Sequence, residues 1–204
     1  MKQRIQLPDR VKKSARAYVA STVMDISLGS YKKEAEYTLA LIRGLEGVAY
    51  EGVEWQVKLE ARLFNTEDRP SSDASAGADF AIVVYILTPD YSIRKALLFR
   101  TTFGSLPDLK QRDRQRLDGQ LRSMLEITRG PKILNIEDMQ FWRFPRVISV
   151  RGYLLGRKTQ RPPLQDYFVN HVLSSLHGDT RPKFVSKISQ SPLHVLRISV
   201  IATG

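Results

Sequence analysis

Four carboxylates within the first eighty residues have types and spacing that suit joint chemistry. Glu34 and Glu36 fall early in a helical pattern, Asp73 lies in a polar stretch, and Asp79 stands directly before an apolar run. A carboxylate at the start of a buried strand, with another on a neighbouring helix, can hold Mg²⁺, which prefers oxygen ligands and keeps several waters. Such an ion polarises a phosphoryl group and activates a water for attack. A cation close by would then stabilise the charge that builds up. Spacing leaves one alternative open: the helix carboxylates form a solvated face and Asp79 is a turn or capping residue.

Other side chains offer less. His171 and His177 are six apart, which is wrong for one helical face, and His194 is remote from both. A Ser-His dyad or a histidine metal site is therefore not expected, and His171 is placed on a helix flank. The absence of cysteine excludes disulfides, thiol catalysis and thiolate metal sites. Gly152-Tyr153-Leu154-Leu155-Gly156-Arg157 lacks the Lys-Ser/Thr ending of a phosphate loop and reads as a turn.

The elements that would position these groups follow from periodicity. Residues 1–30 are basic and mixed, compatible with helix or strand. Ala35, Leu39, Ile42 and Leu45 recur at helical spacing over 31–45, with Ser30 as N-cap and Gly44 and Gly47 as the stop. Alternation over 53–63 predicts a half-buried strand. Residues 65–77 read as a loop, and 80–87, apolar without alternation, as a strand covered on both faces. Thr88-Pro89-Asp90 predicts a hairpin into a strand at 96–103. A helix over 112–128, stopped by Gly130-Pro131, leads to strands at 132–136 and 147–150. A helix over 164–176, closed by Gly178, and a strand at 193–202 complete the chain. This order predicts an α/β fold with a mixed central sheet flanked by helices.

Charge distribution points to a partner. The net charge of +11 is divided into +6 over residues 1–33, −3 over 34–138 and +8 over 139–204. Basic ends of this kind attract phosphate backbones through counterion release. Candidate contacts are Lys12 and Lys13, Arg157, Lys158 and Arg161, and Arg181 and Lys183 with Lys187. Arg143 and Arg146 interleave with Phe141, Trp142 and Phe144, a mixture suited to stacking as well as phosphate contact. The basic first sixteen residues have no apolar stretch behind them, so no signal peptide is expected. No run approaches the ~20 apolar residues of a membrane span. A cytoplasmic protein is the expectation.

The stretch Asp73-Ala74-Ser75-Ala76-Gly77-Ala78-Asp79-Phe80 resembles the acidic-x-x-x-Gly-Ala-Asp motif of a group of PD-(D/E)xK, or restriction-endonuclease-like, proteins, many of them from bacterial antiphage defence systems. Ala96-Leu97-Leu98-Phe99-Arg100-Thr101-Thr102 is similar to their next strand, which ends in Gln-x-Lys. Gly119-Gln120-Leu121-Arg122-Ser123-Met124-Leu125 is similar to their following helix, and the late helix with Phe168 and Gly178-Asp179 and the final strand also fit. The resemblance spans about residues 31–202. It implies a restriction-endonuclease-like α/β domain at 31–204 behind a basic N-terminal extension at 1–30.

Carried over by position, the resemblance makes Asp79 the metal-binding aspartate and Glu36 its helix partner, with Glu34 as the alternative and Asp73 as an upstream acid. Arg100 and Thr102 stand where the group has Gln and Lys. A lysine at Lys95 or Lys110 could replace the missing one. The departure implies a degenerate site: a nucleic-acid-binding subunit, more for DNA than RNA, working with other protein subunits in a complex such as a defence system. The alternatives are an active Mg²⁺-dependent nuclease and a module that docks an acidic protein.

Overall fold

Apolar spacing of i, i+4 over Val11, Ala15, Val19 and Val23 makes the first helix, α1 (Asp9–Asp25), and all four side chains are fully buried. In the computed structural model, which describes residues 5–26, 31–64, 77–137, 144–157, 160–174 and 176–203, α1 packs into the same core as the sheet. The segment read as a basic extension thus contains a helix with a buried stripe.

After α2 (Glu34–Gly44) come β1 (Gly47–Glu51), β2 (Trp55–Arg62), β3 (Phe80–Leu87) and β4 (Ser92–Phe103). Helix α3 (Gln111–Ile127) leads to β5 (Lys132–Ile136) and β6 (Arg146–Ser149). Short helices α4 (Val150–Leu154) and α5 (Leu164–Tyr167) precede α6 (Pro182–Ser189) and β7 (His194–Ala202). Among the described residues, seven strands form one mixed sheet in the order β1-β2-β7-β3-β4-β5-β6. Strands β3 and β7 are parallel, as are β4 and β5, while the remaining pairs are antiparallel. The α/β architecture with helices on both faces is as the element order predicts.

Strand period two divides the core in two. Leu97 and Phe99 of β4 face one layer, with α1, α2 and α5; Ala96 and Leu98 face the other, with α3 and α6. The central position of β3 explains its uninterrupted apolar sequence, since Phe80 to Ile86 are covered on both sides and Leu87 at its end is exposed.

Four elements differ from the sequence reading, one of them α4, whose residues Gly152 to Leu154 the sequence reads as a turn. The strand over 53–63 is the second arm of a hairpin whose first arm, β1, carries a register shift between Val48 and Tyr50 that breaks its alternation. The helix at 164–176 is α-helical only to Tyr167 and continues as a π-helical segment, Phe168–Leu173. Helix α6 shows no long period because it is eight residues, started by Pro182, and buries only Phe184, Val185 and Ile188. Ser30 lies outside the described residues, and Lys33 occupies the N-cap of α2. Among the described residues no helix is long and apolar enough to cross a membrane.

Candidate functional site

The candidate site lies where β3 begins and where the parallel strands β4 and β5 end. In open α/β sheets the carboxyl ends of parallel strands are the usual place for ligands. Asp79 sits one residue before β3, and its backbone N–H donates to the Phe99 carbonyl at 2.8 Å. This bond extends the β3–β4 ladder and brings the Asp79 side chain against Arg100 and Thr101. Arg100 Nη1 donates to Asp79 Oδ1 at 2.7 Å, and the Thr101 backbone N–H donates to Asp79 Oδ2 at 2.7 Å. The pair is largely shielded from water, with the Asp79 side chain 14% and the Arg100 side chain 17% exposed.

Gly77 makes this approach possible. Its φ of +87° lies in the left-handed region, and a Cβ there would stand 2.6 Å from the Gln120 carbonyl oxygen. The glycine therefore lets the chain pass directly over α3 before turning into β3. Ala78 follows, 3% exposed in the α3 layer of the core.

Glu34, the first residue of α2, supplies the second carboxylate. Its Oε2 lies 3.4 Å from Arg100 Nη2, and its Oε1 accepts the Phe103 backbone N–H at 3.1 Å. Glu36 is not brought here: it pairs with Lys33 at 3.7 Å and is half exposed. The cause is helical geometry, because two residues rotate the side chain by about 200°. Glu34 shares a face with Thr38, whose hydroxyl donates to the Glu34 carbonyl and lies 2.8 Å from the Thr101 hydroxyl in the core. That buried contact fixes α2 against β4.

These residues do not fit Mg²⁺ as they stand. All four oxygens of Asp79 and Glu34 accept from nitrogen donors, and the Arg100 guanidinium stands between the carboxylates where a cation would sit. Nor do the described residues supply an ammonium. Thr102 is buried and its hydroxyl donates to Asn135 Oδ1 at 3.1 Å, tying β4 to β5. Lys95 faces the opposite layer of the sheet, almost completely buried, and its ammonium donates to the Val172 carbonyl. Lys110 is exposed ahead of α3. Among the described residues no group of three or more His, Asp or Glu is arranged to hold a metal. Asp73 lies outside the described residues.

Beside the carboxylates opens a cleft of about 240 Å³, between Arg100 and Thr102 on β4 and Asp113, Arg116 and Gln120 on α3. The residues carried by the Gly-Ala-Asp stretch, the second strand and the Gln-containing helix thus converge on one place. Charge in this cleft is mixed, since Arg100 and Arg116 meet Glu34 and Asp113.

The basic candidates divide between the two faces. Lys12 and Lys13 lie on α1, with Lys12 paired to Asp9 at 3.1 Å and Lys13 exposed. Arg181, paired with Asp179 at 2.6 Å, and exposed Lys183 lie at α6, on the opposite face. Arg146 donates to the Arg161 carbonyl at 3.1 Å, and Arg161 lies 3.7 Å from Glu137. Arg157 and Arg161 line a second cleft, of about 550 Å³, with Arg114, Asp118 and Tyr153. Arg143 and Lys158, with Phe141 and Trp142, lie outside the described residues.

Arg114 and Arg116 escape a reading by regional charge because they fall in the segment whose net charge is negative. Their alternation with Asp113 and Gln115 on an amphipathic helix was the available signal. The histidines also depart from expectation: the π-helical segment and the turn after it stack His171 on His177 with ring centroids 4.5 Å apart. No family model, curated protein or solved structure matches the chain.

Proposed function

We propose that the protein is a nucleic-acid-binding subunit with a nuclease-like, catalytically degenerate fold, acting within a larger complex such as a bacterial antiphage defence system. The observation that carries this reading is a guanidinium standing where a metal ion would sit. Arg100 bridges Asp79 and Glu34 and offsets one of their two charges at the carboxyl ends of β4 and β5, in the cleft on which the three resembling stretches converge. An internal counterion holds the two acids together and offsets half of their charge without metal chemistry. It also removes much of the field that would repel a phosphate backbone.

Binding is assigned to the neighbouring cleft. Among the described residues, Arg114, Arg157 and Arg161 there outnumber the carboxylates Asp118 and Glu137, so the cleft is net positive. The two clefts share α3 and the turn around residues 106–109, so a strand lying across Arg114 and Arg157 passes beside the Asp79–Arg100 pair. Such binding rests on phosphate neutralisation and is salt-dependent.

The test is fluorescence anisotropy with duplex and single-stranded DNA and with RNA, across a salt series. Binding should weaken steeply with salt and survive Asp79→Asn. Arg157→Glu with Arg161→Glu should weaken it about tenfold or more. Salt-independent binding, or none, overturns the nucleic-acid reading. Cleavage with Mg²⁺ or Mn²⁺ that is lost in Asp79→Asn overturns the degenerate-site reading in favour of an active nuclease.

A further inference from the structure

A third cleft, of about 410 Å³, opens where β5 begins, away from the strand ends that build the Asp79 site. Lys132, the first residue of β5, lines it together with Arg129, His177, Asp179 and Arg181. The Lys132 residue is more than nine-tenths buried, and its ammonium lies 5.7 Å from the centroid of the Tyr167 ring. Among the described residues no carboxylate pairs with it. Asp179 is already committed: Arg181 donates to both of its oxygens and the Thr128 hydroxyl donates to Oδ2 at 3.1 Å. A buried ammonium without a counterion is costly, because buried charges are normally paired.

We propose that this cleft binds a phosphate monoester, whose dianion is taken by the ammonium of Lys132 and the guanidinium of Arg129. Two cations match the two charges of a monoester. A depth that leaves Lys132 less than a tenth exposed admits a terminal phosphate and excludes an internal diester, which cannot enter end-on. The volume accommodates the phosphate with a small organic group attached. The wall behind is rigid: His177 Nδ1 lies 3.0 Å from the Tyr167 hydroxyl, and both rings pack on His171. Burial lowers the Lys132 pKa to about 8, so near that pH an arriving dianion draws a proton onto the amine.

Isothermal titration of the full chain with inorganic phosphate and ribose 5-phosphate tests this, at pH 7 and pH 8.5 in buffers of different ionisation enthalpy. The expected result is binding that weakens at least about tenfold in Lys132→Met and is retained in Lys132→Arg. It should be accompanied by proton uptake at pH 8.5 that Lys132→Met loses. Tyr167, His171, His177, Asp179, Arg129 and Arg181 surround the site and are common to both proteins, so the lost uptake belongs to Lys132. Two sources of the monoester are separated by a 5′-phosphorylated oligonucleotide and its 5′-hydroxyl twin. Displacement of ribose 5-phosphate by the phosphorylated strand alone identifies a strand terminus; displacement by neither identifies a small molecule. No binding tighter than about 1 mM, or unchanged binding in Lys132→Met, overturns the proposal.

Discussion

The guanidinium of Arg100 is held by Asp79, at 2.7 Å, and by Glu34, at 3.4 Å, so that a β-strand cation joins the start of β3 to the first turn of α2. Four of the donors and acceptors at this sheet end are backbone N–H groups or carboxylate oxygens that satisfy each other across these elements. Removing Arg100 would leave both carboxylates without their cation, whereas removing Asp79 leaves Arg100 with Glu34 alone.

Asp79→Ala should destabilise the fold by about 2 kcal/mol, because the Thr101 N–H and Arg100 Nη1 lose their acceptor while Arg100 keeps Glu34. Asp79→Asn should cost less, because an amide oxygen still accepts the Thr101 N–H. Urea unfolding followed by circular dichroism measures both. A loss under about 1 kcal/mol for the alanine variant means that the ion pair contributes little.

The hydroxyls of Thr38 and Thr101 differ in direction. Thr38 donates to the Glu34 carbonyl at 2.8 Å, so in the 2.8 Å contact between the two threonines Thr101 is the donor. Thr38→Val should leave the Thr101 O–H without an acceptor and cost about 2 kcal/mol, while Thr101→Val should cost under about 1 kcal/mol. Equal losses in thermal denaturation contradict this donor assignment.

Gly77→Ala combines a φ of +87° with a Cβ 2.6 Å from the Gln120 carbonyl oxygen. The expected loss is about 2 kcal/mol or more, from both strain and contact. Gly119→Ala on α3, where a Cβ meets nothing within 4 Å, should be neutral or slightly stabilising in the same assay.

Lys132 gives a pH signature. Burial lowers its pKa from 10.5 to about 8, so between these values the unfolded chain binds a proton that the folded chain has lost. Its contribution to stability rises with pH across that window. Lys132→Met should be more stable than the parent by on the order of 3 kcal/mol at pH 7, with the gap closing between pH 8 and 10.5. Burial also raises Tyr37 and Tyr167 above the ordinary tyrosine value, with nearby Tyr31 adding to the effect at Tyr37. The unfolded chain then ionises first, so the parent should lose stability above about pH 10. Denaturant midpoints from pH 6 to 11 measure these changes, and a gap that does not vary with pH rules out this role for Lys132.

Elements whose signals are local can be read from the order of residues. Phe80–Leu87 forms a strand with the bounds that its apolar run and flanking turn mark, because a strand covered on both faces over most of its length needs apolar side chains on both, and Lys132–Ile136 keeps its bounds although it buries Lys132 and Asn135. The convergence of Asp79, Arg100 and Gln120 was legible as order along the chain. So was the departure at Arg100 and Thr102, since residue type needs no coordinates.

Which carboxylate joins Asp79 on Arg100 depends on how α2 packs. Glu34 and Glu36 have the same chemistry and nearly the same position in sequence. The rotation of α2 is fixed by Tyr37, Thr38, Leu41 and Ile42 burying their face, and that rotation points Glu34 at Arg100 and leaves Glu36 with Lys33. Likewise, the π-helical segment changes the angular step after Tyr167, and the turn beyond it returns the chain, so that His171 and His177 stack despite a spacing that no α-helix would bring together. Pattern sets which faces are buried. Packing between elements distant in sequence sets what those faces touch, and there a cation became the partner of two acids.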